Sequence, residues 1–119
     1  MMKKLLPMIM FVLLVFAGCH REPATYQLAS SPREVAANAE KFVKQVEKQS
    51  KHYSAEDWQI AVEQFVAMSK DYVENWRVLT EDEIMRFDNA RLQFMKAIEA
   101  NGSDDIAAQV KKAYGELVR

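Results

Sequence analysis

A helix start is written three times into this chain in the same local chemistry. In each case a Ser or Thr is followed three residues later by an acid: Ser31 with Glu34, Ser54 with Asp57, and Thr80 with Glu83. Such a pair satisfies amide donors that the first turn of a helix leaves open, because the hydroxyl accepts from one and the carboxylate reaches back to another. Pro32 sits at the first helical position of the first, where a missing N–H costs nothing. Tyr53 with Trp58 and Leu79 with Ile84 flank the second and third as hydrophobic staples. A fourth start follows Asn101-Gly102: Gly102 is expected to end a helix in the left-handed conformation and Ser103 to cap the next, with Asp104 and Asp105 at its positive end.

Apolar residues recur at the helical period between these marks. Helix one, about 32–50, offers Val35, Ala39, Phe42, Val43 and Val46; helix two, about 55–78, offers Trp58, Val62, Phe65, Val66, Tyr72, Trp76 and Leu79. Helix three, about 81–100, offers Ile84, Phe87, Ala90, Phe94 and Ile98, and helix four, about 104–118, offers Ile106, Val110, Ala113 and Leu117. Four one-sided stripes need one another for burial, and short links make neighbours antiparallel. The expected fold is all-α, a small up-and-down bundle of three main helices plus a shorter C-terminal helix. Neither Gly nor Pro interrupts Val78-Leu79-Thr80, so the capping box alone argues there for a turn rather than one long kinked helix. Three Gly and three Pro in 119 residues argue against a many-stranded β protein.

The N-terminus has a different character. Two lysines, Lys3 and Lys4, precede an uncharged run from Leu5 to Gly18, the pattern of an export signal. As a helix, that run reaches only about 21 Å, short of the ~30 Å hydrocarbon core, so removal is expected rather than a permanent span. It ends in Phe16-Ala17-Gly18-Cys19, which resembles the lipobox of bacterial lipoproteins, with Phe16 in place of the usual Leu. The resemblance implies recognition of Phe16, Ala17 and Gly18 by a signal peptidase, and diacylglycerol on the Cys19 thiol with a further acyl chain on the freed amine. Two or more chains give stable membrane attachment where one does not. Cys19 is the only cysteine, so no intramolecular disulfide is available.

Residues 1–18 are thus read as a removed signal peptide, 19–31 as a lipidated flexible tether and 32–119 as the helical domain. His20 follows Cys19 where an aspartate would signal inner-membrane retention, which favours the outer membrane. The layout is similar to the small helical lipoproteins of unknown function from Gram-negative gut bacteria, a resemblance that implies a location and a fold but no activity. Leu79-Thr80-Glu81-Asp82-Glu83 is similar to the Leu-Thr-x-x-Gln motif of periplasmic helical chaperones, with Glu83 in place of the glutamine.

Catalytic and metal chemistry find little material. Beyond Cys19 the nucleophile and base inventory is thin: His20 lies in the tether, and His52, near Glu56 and Asp57, straddles a loop and a helix start without metal-ligand spacing. Glu81-Asp82-Glu83 is explained by the dipole of the helix it opens. Lys41, Lys44, Lys48 and Lys51 form a solvated stripe, in which Glu40 is expected to pair with Lys44 and Glu47 with Lys51. Of 16 basic and 17 acidic residues, setting aside Lys3 and Lys4 leaves 14 against 17, a net charge of −3 that disfavours nucleic acid. No metal or other cofactor is expected beyond the covalent lipid. Trp58, Trp76 and Tyr72 make helix two aromatic. They are expected mostly in the core, and are also the candidate partner-binding residues, since such side chains dominate interfaces.

These readings point to a lipid-anchored, non-enzymatic binding or adaptor module with an envelope protein as partner. The alternatives are a chaperone-like holdase with a concave apolar groove, and an enzyme using carboxylates from two helices across a polar cleft.

Overall fold

Ser54 and Thr80 open their helices as the local chemistry requires. The Asp57 amide donates to Ser54 Oγ at 3.1 Å while the Ser54 amide donates to Asp57 at 2.9 Å, and Thr80 with Glu83 repeats both distances. The computed structural model describes residues 23–118, and among them the regular structure is entirely helical. Helix α1 is Val35–Gln49, α2 Ala55–Asn75, α3 Glu81–Asn101 and α4 Asp104–Val118, with 3-10 turns at Pro32–Glu34, Ser50–His52 and Trp76–Val78. Two helices have 15 residues and two have 21, so α4 equals α1 in length. The N-terminal calls at Phe16, Ala17, Gly18, Cys19 and His20 lie outside the described residues.

The other two starts differ from expectation. Ser31 makes no side-chain cap bond; the Glu34 carboxylate instead accepts from the amide and hydroxyl of Ser30, at 2.9 and 3.0 Å. Pro32 tightens the first turn into a 3-10 geometry, which moves the cap back by one residue. Ser103 does cap α4, accepting from the Ile106 amide at 3.2 Å. Gly102, however, is extended at φ −98° and ψ −163°, not left-handed. Its lack of a side chain matters for approach: a Cβ there would stand 3.0 Å from the Ile98 carbonyl oxygen and 3.1 Å from the Ile98 side chain.

The turn between α2 and α3 is real, because Leu79 takes an extended backbone and buries its side chain, with Ile84 packed against the same core. Asn75 helps to end α2 by donating back to the Asp71 carbonyl at 2.8 Å. Helices α1 and α3 lie against each other and run in the same direction. Arg33 pairs with Glu83 near their starts, Arg86 binds Glu40 bidentately at 2.6 and 3.1 Å, and Asn101 donates to Ser50 at their ends. Glu40 thus pairs across the fold and not with Lys44, since a guanidinium fork on a rigid neighbouring helix matches a carboxylate better than a mobile ammonium on the same one.

Helix α2 runs the opposite way, and aromatic rings join it to α3. Tyr72 stacks on Phe87 at 4.0 Å, Phe65 on Phe94 at 4.6 Å, and Trp58 meets Phe94 edge-on at 6.4 Å. Phe94 also stacks on Phe42 of α1 at 5.8 Å, so a single fully buried ring of α3 joins it to both α1 and α2. Helix α4 buries only Ile106 and Val110, both in its first half.

Candidate binding surface and its strap

Tether residues 24–29 do not hang free. Ala24 and Tyr26 turn inward and are buried in the core, while Thr25, Gln27 and Leu28 face out. Tyr26 meets Phe42 edge-on at 6.4 Å, its amide donates to Gln64 at 2.8 Å and its hydroxyl to Asp71 at 2.6 Å. The Ala29 amide donates to the same Asp71 oxygen at 2.9 Å, and Asn38 of α1 donates to the Gln27 carbonyl. The segment is a strap filling the groove between α1 and α2. Burial and the neighbouring Asp71 carboxylate push the Tyr26 hydroxyl far above its ordinary value, so it stays a proton donor throughout the physiological range.

Asp71 is itself buried, and an unpaired buried carboxylate is costly. Here the Tyr26 hydroxyl and Ala29 amide satisfy one of its oxygens, while Asn75 reaches the other at 3.2 Å. Sequence reading missed this because the twelve residues after Cys19 lack a helical period. The available signal was a large aromatic, Tyr26, two residues from Ala24, together with Asp71 beside the apolar stripe of helix two.

The three aromatic candidates separate. Trp58, 3% exposed, is enclosed by Tyr53 at 5.0 Å and by Phe94, which places it in the core at the start of α2. Trp76 and Tyr72 meet at the other end. With Val73, Tyr114, Leu117 and Val118 they line a groove of about 420 Å³ between the closing turns of α2 and α4. Trp76 is 52% exposed, so the residue expected on the buried stripe stands at the groove's rim, because α2 gives way to the 3-10 turn there and α4 covers it only in part.

Tyr72, buried against Phe87, forms the inner wall. Arg91 lies over the Tyr114 ring at 4.8 Å and reaches Asp88 at 3.4 Å, which braces that wall from behind. Burial raises the hydroxyl pKa of both Tyr72 and Tyr114, so the lining carries no charge of its own. Such a surface can take an apolar or aromatic side chain. Val78, Met85 and Leu92 add exposed apolar area elsewhere, the last two one heptad apart on α3.

Glu83 is occupied by its cap and by Arg33, His52 is exposed, and no group of three or more potential ligands for a metal forms among the described residues. No protein-family model, curated protein or solved structure matches the chain.

Proposed function

We propose that the chain is a cell-envelope lipoprotein, anchored through lipid on Cys19, whose helical body serves as a non-enzymatic binding or adaptor module. Its body is read as an up-and-down bundle in which α4 completes the core and then leaves the groove open. The observation that carries the binding role is Trp76, half exposed beside Tyr72 on an uncharged groove. Large aromatics held on a rigid wall give contact area at little entropic cost, which is why they dominate binding energies. The lipid anchor is supported by Phe16-Ala17-Gly18-Cys19, and His20 in the following position favours the outer membrane.

Cross-linking in intact cells followed by capture of the native protein tests the binding role. One stoichiometric partner is expected, weakened by about 2 kcal/mol or more in Trp76→Ala. A diffuse set of unfolded clients, unaffected by that substitution, would mean a holdase instead. For the anchor, Cys19→Ala should abolish incorporation of labelled fatty acid and leave an unprocessed precursor.

A further inference from the structure

The strap limits where an anchor at Cys19 can be. Ala24 is buried and Tyr26 is fixed by its two hydrogen bonds, so only residues 20–23 lie between Cys19 and the first docked side chain. Five fully extended residue steps span at most about 18 Å.

The direction of the strap decides which end of the body lies within that reach. Ala29 is held by Asp71 and Tyr26 by Gln64, so the chain moves toward the start of α2 as it is followed back to Cys19. Along α1 it passes from Asn38, bound to Gln27, to the shallow cleft that Thr25 lines together with Lys41 and Gln45. Both helices give the same direction, toward the Ser50–Ser54 turn that joins them. The Trp76 groove is at the opposite end, since Trp58 and Trp76 are 18 residues apart on one nearly continuous helix, about 27 Å at ~1.5 Å per residue.

We propose that the end of the body carrying the α1–α2 turn is the face apposed to the lipid surface, held there by the docked strap, with the Trp76 groove turned away from the bilayer. This rests on the reading of Cys19 as lipidated. The face is polar and of mixed charge, which suits apposition to zwitterionic headgroups rather than insertion: Lys48, Lys51, His52, Ser54, Glu47 and Glu56 are exposed there, Asp104 and Asp105 join them from the adjoining α3–α4 turn, and its aromatic, Tyr53, is partly covered by Trp58. A free tether would let the body tumble at its lipid. A docked strap gives one end of the protein to the membrane and the other to the envelope space.

The two tryptophans report the arrangement directly. The full chain, expressed in Gram-negative cells, purified from their membranes and reconstituted in phosphatidylcholine vesicles carrying a dansyl lipid, is read by energy transfer from tryptophan to dansyl. In Trp76→Phe the only remaining donor is Trp58. Given the ~27 Å separation, its transfer efficiency should be at least about twofold that of Trp58→Phe, and above the wild-type mean.

Should Trp58→Phe fail to fold, Trp76→Phe against wild type still decides the sign, because Trp76 is half exposed. Tyr26→Ala, which frees the strap, should collapse the difference. Equal transfer from both positions, a larger value from Trp76, or a difference untouched by Tyr26→Ala would overturn the proposed orientation while leaving the anchor intact. A chain that carries no labelled fatty acid and does not stay with the vesicles would remove the anchor and the orientation together.

Discussion

The two ends of α2 carry the same kind of residue and put it to opposite uses. Trp58, in the opening turn, is enclosed by the staple residue Tyr53 and by Phe94 of α3. Trp76, just past the last α-helical residue, has Tyr72 and the loosely packed end of α4 for neighbours and remains half exposed. Hydrophobicity cannot distinguish them. Burial depends on how many other elements reach the same spot, and α4 buries Ile106 and Val110 near the first tryptophan's end but nothing fully at the second's.

The comparison breaks most readily at Phe94, the ring shared by Phe42, Trp58 and Phe65. Phe94→Ala should cost about 3–5 kcal/mol in chemical denaturation, enough to threaten folding of a domain this small, and Trp58→Ala should fall in the same range. Trp76→Ala should cost less than about 1 kcal/mol while weakening partner capture, since surface changes rarely move stability further. Equal costs at the two tryptophans would mean that the groove is closed in solution.

The strap sharpens the contrast from the other side. Tyr26→Phe keeps the packing against Phe42 but removes a donor from a buried carboxylate, and should cost about 1–3 kcal/mol. Amide exchange at Tyr26 and Ala29 should rise with it, because both amides donate to residues of α2, Gln64 and Asp71. Exchange unchanged at both amides would show that the strap is held by the buried rings and not by Asp71.

Local chemistry made most of the fold legible. A capping box needs only four consecutive residues, so Ser54 and Thr80 could be read without knowing what the helices touch, and the second resolves the Leu79 turn that apolar spacing left ambiguous. Thr80→Ala should cost about 1 kcal/mol, whereas Ser31→Ala should cost almost nothing, because Ser30 and not Ser31 binds Glu34. The strap and the groove were not legible for the same physical reason. Each is defined by elements distant in sequence: the strap by Gln64 and Asp71, some 40 residues on, and the groove by where α4 stops covering α2.

The smallest effect concerns the ion pair that replaced the expected helix-one pairs. Hydrogen bonding to the Arg86 guanidinium holds the Glu40 carboxyl below its ordinary value, overcoming the opposing effect of partial burial. A carboxylate whose folded pKa is depressed stabilises the fold above its unfolded value, near ~4.3, and that contribution disappears as pH falls through the folded value. Both side chains are more than a third exposed, so solvent screening keeps the contribution under about 1 kcal/mol. Denaturant midpoints of wild type and Glu40→Gln should therefore differ slightly at pH 7, more at low salt than at high, and converge as pH falls through the depressed folded value of Glu40. A gap that persisted in acid would assign the effect to the packing of Glu40 between α1 and α3, and would make their parallel contact, like the core around Phe94, a matter of shape rather than charge.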